Sequence, residues 1–164
     1  MEITITDSFL NTAKEKAKEL GKLNNSILYG DGNLTGFLGE LVAHSILGGH
    51  LKNTYDYDIL LDNGCTVDVK SKKTKVKPKD YYECSVAAFN TKQKCDYYCF
   101  VRIKDDYSTA WYLGYYPKEK YYKDAVFLKK GDIDPSNMYT VKADCYNLKI
   151  NELYKEFPHE KVST

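Results

Sequence analysis

The sequence contains no apolar run approaching the roughly 20 residues that a membrane-spanning helix requires, and no charged-then-apolar leader at its start. These absences argue against a membrane partner and make a cytoplasmic location the expectation. In that reducing setting the five cysteines, Cys65, Cys84, Cys95, Cys99 and Cys145, read as reduced and mostly buried thiols. Cys95 and Cys99 lack the second pair that a zinc centre would need. Arginine is almost missing, with Arg102 standing alone beside a large lysine excess and 16 tyrosines. That bias fits AT-rich coding and points to a bacterial cell or a phage-infected host. Repeats, low-complexity segments and an interdomain linker are absent, so residues 1–164 are expected to form one domain, and 43% hydrophobic content suffices for a real core. Gly30-Asp31-Gly32 is not followed by Gly-Lys-Ser/Thr, so it reads as a turn rather than a phosphate loop.

What is present is concentrated between residues 55 and 79. Val67 and Val69 alternate with Thr66, Asp68 and Lys70, the period-two pattern of a half-buried strand. Asp68 and Lys70 therefore share a face, separated by about 6.6 Å of strand rise, close enough to serve one phosphate and one cation. The direction of Asp58 depends on the length of the turn before that strand. A two-residue Asn63-Gly64 loop would pair Asp58 with Val69 and send it to the wrong face. A three-residue loop, Asp62-Asn63-Gly64, with glycine in the left-handed position, sets Asp58 opposite Asp68, Ile59 opposite Val67 and Asp56 opposite Lys70. In that register Tyr57, Ile59, Leu61, Val67 and Val69 form an apolar face for a helix to cover, leaving the other face for chemistry. Carboxylates gathered in this way repel one another unless a cation or the lysine neutralises them, and oxygen ligands suit a hard ion such as Mg²⁺.

Upstream, apolar residues at Leu34, Phe37, Leu38, Leu41, Val42 and Ile46 predict an amphipathic helix that Gly48-Gly49 stops. Glu40 flanks its apolar stripe, where it can reach the sheet edge. Gly36, Gly39 and Ala43 make another flank narrow enough for close packing. His44, one turn beyond Glu40, reads as a polar-flank residue.

A helix with a glutamate, a strand with an aspartate, a hairpin, an Asp-x-Lys strand and then further strands resemble, in their order, the PD-(D/E)XK nuclease superfamily. The similarity covers about residues 34 to 103. It implies an α/β, restriction-endonuclease-like three-layer core of αβββαβ order, with a central mixed sheet flanked by helices and, here, extra C-terminal strands. It also implies hydrolysis of DNA phosphodiesters with Mg²⁺, for which Mn²⁺ can substitute. By position, Asp58, Asp68 and the Val69 carbonyl would be metal ligands, Lys70 the catalytic lysine, and Glu40 the helix-borne acid, catalytic or a further ligand. The proline that names the motif is missing before Asp58, which leaves Asp56 a rival for the first ligand.

Net charge is only +1, yet Lys70, Lys72, Lys73, Lys75, Lys77 and Lys79 occur with no acid among them. Lys72, Lys73, Lys75 and Lys77 are thus expected to guide a nucleic-acid backbone towards Lys70. Elsewhere the pattern predicts a first helix around Phe9–Leu20, opened by Thr6 or Asp7 and closed by Gly21. Strands are expected at 81–87, 97–103, 109–115 and 138–146, with a short helix or turn at 89–94 and a short helix at 151–157. Gln93-x3-Tyr97 matches a pattern of some exonuclease-like members but is common by chance, and Glu83 is a weaker ligand candidate. The sequence leaves open the DNA form, one metal or two, and a homodimer. Its alternative reading is a catalytically inactive nucleic-acid-binding or inhibitory protein on the same fold.

Overall fold

A computed structural model describes residues 1–23, 31–52 and 54–157. Gly30 therefore lies outside the described residues. In chain order the elements are β1 (Glu2–Thr4), α1 (Asp7–Leu23), α2 (Asp31–Leu47), β2 (His50–Leu51), β3 (Ile59–Leu60), β4 (Thr66–Thr74) and β5 (Glu83–Ala87). A 3-10 turn (Ala88–Lys92), β6 (Tyr97–Lys104), β7 (Thr109–Pro117), α3 (Lys118–Asp124), β8 (Val126–Leu128), β9 (Cys145–Lys149) and a second 3-10 turn (Ile150–Glu152) follow. The result is a mixed α/β fold.

The larger sheet runs β1-β7-β6-β4-β3-β2. β6 is its spine: every residue from Tyr98 to Ile103 is buried, as a run apolar but for Arg102 requires. It pairs in parallel with β4, which matches Asp68 to Tyr98, Lys70 to Phe100 and Lys72 to Arg102, and antiparallel with β7. Because side chains alternate along a strand, these pairs lie in one row on one face. The opposite face receives α1 and α2. Val67, Ile59, Leu61, Cys99 and Val101 pack there with Leu38, Val42, Ala43 and Ala13, and Val69 joins at the margin. Thr6 caps α1 by accepting the Phe9 amide through its hydroxyl, but the helix runs through Gly21 to Leu23. Gly48, at φ +73° and bonded to the His44 carbonyl, stops α2 as expected.

The second face is not left open for chemistry. Tyr98, Phe100, Trp111, Leu113 and Tyr116 pack with Cys84, Val86, Leu148 and fully buried Tyr121 in a second core. A three-stranded sheet, β5-β9-β8, and α3 cover it. The sequence therefore misplaces three features. The strand expected at 81–87 forms, but in this second sheet. The short helix or turn expected at 89–94 is a 3-10 turn at Ala88–Lys92, and the larger sheet is flanked by helices on one face and by a sheet and a short helix on the other. The C-terminal strand starts at Cys145 instead of Met138, because residues 131–140 fold into a loop around buried Asp134, which bonds Ser136, with Met138 at φ +60°. The helix expected at 151–157 shrinks likewise, and Tyr154 bridges to Tyr115. Among the described residues no helix is long and apolar enough to cross a membrane.

Candidate active site

The turn before β4 sets the geometry. Leu61 and Cys65 close it through the Leu61 amide on the Cys65 carbonyl at 2.9 Å, while the Gly64 amide bonds the Leu61 carbonyl, also at 2.9 Å. Gly64 sits at φ +85°, where a side chain would be strained. Asp62, Asn63 and Gly64 are thus a three-residue loop, and Ile59 pairs with Val67 as that loop demands.

The pairing stops at Ile59. Thr54 and Tyr57 bond each other twice, hydroxyl to carbonyl at 2.8 Å and amide to hydroxyl at 3.1 Å, and curl the chain away from β4. Asp56 consequently never lies opposite Lys70; its carboxylate accepts the Lys94 amide at 2.9 Å. Tyr57 likewise stays out of the apolar core. Asp58 remains at the ladder's end, with its amide on the Val67 carbonyl at 2.9 Å. Its carboxylate, in place of a strand partner, accepts the Val69 amide at 2.7 Å. Since a strand residue turns its N–H and C=O to the same side, the Val69 carbonyl faces that same edge.

Asp68 is 5% exposed. One of its oxygens accepts the Gln93 amide nitrogen at 3.1 Å. The other, Oδ2, is buried and lies 2.7 Å from the Lys70 ammonium as an ion pair. Lys70 also donates to Gln93 Oε1 at 3.0 Å, and Gln93 completes its own set by donating to the Tyr55 carbonyl at 2.9 Å. Gln93 is thus a 6%-exposed clamp across Asp68 and Lys70. The Gln93-x3-Tyr97 pattern was the only trace of it in the sequence.

Glu40 arrives from α2 because Gly39 lets the helix approach β4 closely: a Cβ there would stand 1.7 Å from the Ser71 hydroxyl. Ala43, wholly buried, continues this contact, whereas Gly36 faces open space. The Glu40 carboxylate holds Lys16 at 3.1 Å and acts on Asp58. Burial first, and then Glu40, push the Asp58 carboxyl up to about 7. Asp68 is pushed up to about 6, by burial and by Asp58, against the pull of Lys70. His44 plays no part here; its Nε2 bonds the Gly49 carbonyl at 2.9 Å. Glu83 is also apart, in the second sheet, hydrogen-bonded to Ser136 at 2.9 Å.

No family model and no curated protein matches this chain. What the site can do follows from its own atoms.

The lysine run is not gathered into one surface. Lys72 continues the row of Asp68 and Lys70, while Lys73 projects from the other face, over the Tyr107 ring at 5.0 Å. Lys75 and Lys77 are exposed beyond the strand's end. Among the described residues no three His, Cys, Asp or Glu side chains stand together in a ready-made metal cage. The convergent oxygen donors are the Asp58 and Asp68 carboxylates and the Val69 carbonyl, with Glu40 adjacent but engaged by Lys16.

Proposed function

We propose that this chain is a divalent-metal-dependent deoxyribonuclease on a restriction-endonuclease-like core. The observation that carries the reading is half-buried Asp58 beside buried Asp68 at a break in strand pairing, with Lys70 on the row of Asp68. Partial or full burial pushes both carboxyls above their ordinary range and disfavours their charged forms, and a cation is what relieves this. Among the described residues Asp68 Oδ2 is met by the Lys70 ammonium alone, at 2.7 Å, so a cation would share this oxygen with Lys70. All the donors are hard oxygens, which suits Mg²⁺, and Mn²⁺ as substitute.

Asp58, Asp68 and the Val69 carbonyl would hold the ion, with Glu40 within reach once released from Lys16. Such an ion supplies Lewis-acid polarisation of a phosphate and a more acidic water. The protein's own residues do the rest. Val69 pins Asp58 through its amide, and Gln93 fixes the rotamers of Asp68 and Lys70 together. Lys70 places a positive charge where negative charge grows as a phosphodiester is attacked, and it orients the attacking water. The third strand's removal to a second sheet departs from the expected αβββαβ core but leaves α2, β3, β4 and β6 in the order the site needs.

The test is incubation of the protein with linear, circular, branched and single-stranded DNA, each with Mg²⁺ or Mn²⁺ and with EDTA. Cleavage that depends on the metal supports the proposal. Metal-independent binding without cleavage favours the inactive nucleic-acid-binding alternative.

A further inference from the structure

Beside the aspartate pair, the row continues to Lys72 and Arg102, which face each other across β4 and β6. They line a cavity of about 140 Å³ with Lys70, Glu83, Ser85, Phe100 and others. This is smaller than the roughly 300–1,000 Å³ of a drug-sized ligand site and suits a group of a few heavy atoms. Arg102 is 7% exposed, yet among the described residues neither it nor Lys72 has a carboxylate ion-pair partner. One Arg102 nitrogen, Nη2, donates to the Glu83 carbonyl at 2.6 Å. Among the described residues, no other protein group accepts from the remaining guanidinium donors.

Buried cations are ordinarily paired, and an unpaired one side by side with a second cation is costly unless an anion completes it. Glu83 does not supply that anion. Its carboxyl is pushed up to about 7 by burial and by Asp134, and it turns to Ser136. Burial and the Arg102 charge also push the Lys72 ammonium below its ordinary range. Both groups therefore favour an incoming negative charge. The cleft lies two residues along β4 from Lys70, about 6.6 Å of strand rise, a step comparable with one nucleotide of backbone.

We infer that the Lys72–Arg102 cleft binds a backbone phosphate of the nucleic-acid strand, next to the phosphate presented at Lys70. This rests on the nuclease reading for its register, though not for the anion site itself. Arg102 is the chain's only arginine, so its side-chain Nε–H gives a single, unambiguous nitrogen-15 NMR signal.

The experiment titrates the full-length, nitrogen-15-labelled protein in EDTA with pentathymidylate, with the same oligomer carrying neutral methylphosphonate linkages, and with inorganic phosphate. The expected result is a saturable Arg102 Nε–H shift with pentathymidylate and little or none with the neutral oligomer. Lys72→Gln should weaken the apparent affinity roughly tenfold, as loss of a charge-assisted phosphate contact does. Asp68→Asn should leave the shift in place. An Arg102 signal that ignores pentathymidylate overturns the inference, as does one that responds only to inorganic phosphate. A retained shift in a protein that cuts no DNA would overturn the nuclease reading and leave the phosphate cleft standing.

Discussion

The Asp58 carboxylate accepts the Val69 amide at 2.7 Å, and through this bond a side chain takes the place of a missing strand. The acid is thereby held at the β4 edge beside Asp68, and the neighbouring carbonyl faces the same space. Removing Asp58 should therefore cost more than a charge. Asp58→Ala is expected to weaken Mg²⁺ binding at least about tenfold by isothermal titration calorimetry, the scale at which even supporting residues act at metal sites. Asp56→Ala, whose carboxylate only tethers Lys94, should change it little. The reverse ranking would mean that the register in solution differs.

Gln93 is expected to matter although it is neither acid nor base. Gln93→Ala frees Lys70 and Asp68 from their common clamp, and cleavage should fall about 10–100-fold while the fold persists. Turnover rates with circular dichroism as the folding control would check this. Unaltered turnover would make the clamp merely structural.

Gly39 provides the approach that brings Glu40 to the sheet. A methyl group there meets the Ser71 hydroxyl at 1.7 Å and its Cβ at 2.8 Å, so Gly39→Ala should destabilise the protein by about 1–3 kcal/mol in urea unfolding. Ser71→Ala alone should be neutral or slightly stabilising, since that hydroxyl is buried without a hydrogen-bond partner. Gly36→Ala, facing open space, is the control.

Stability should also depend on pH in a particular direction. Asp58 at about 7 and Asp68 at about 6 are both raised above their ordinary value of 3.8, so the folded state holds more protons than the unfolded one between these limits. Stability of the metal-free protein is then expected to fall as pH rises from about 4 to 7 and to level off above. The pair therefore costs the metal-free fold stability at pH 8. Mg²⁺ should raise Tm more at pH 8 than at pH 5. Glu83, at about 7, tilts the curve the same way, and Asp58→Asn/Asp68→Asn should remove the aspartate share and the Mg²⁺ response. A metal-free Tm that rises through this window, or an Mg²⁺ response equal at both pH values, would contradict the placement.

How much of this was legible depends on the range of the interactions. The Asp62-Asn63-Gly64 loop and the Ile59–Val67 register follow from local turn chemistry, and the covered face of β4 follows from alternation. The early end of β3 did not, because the Thr54–Tyr57 turn competes with strand pairing through side-chain bonds that periodicity does not see. Gln93 reaches the site across 25 residues of chain from Asp68, and Arg102 meets Lys72 only through the parallel pairing of β4 with β6. The second core was hidden for a related reason: Tyr98, Tyr116 and Tyr121 come from different elements and meet only once the topology stacks them together. The lysine run is divided because neighbouring strand residues face opposite ways, so Lys72 and Lys73, adjacent in sequence, stand on two faces in space.

The central claim is tested most directly by measuring plasmid cleavage by wild type, Asp68→Asn and Lys70→Ala in Mg²⁺, Mn²⁺ and EDTA, with DNA binding and folding measured on the same samples. The expected result is metal-dependent cutting by wild type and a loss of at least about a hundredfold in each variant, with binding and fold largely retained. A well-folded wild-type protein that cuts no form of DNA with either metal, or variants that cut as well as wild type, would contradict it.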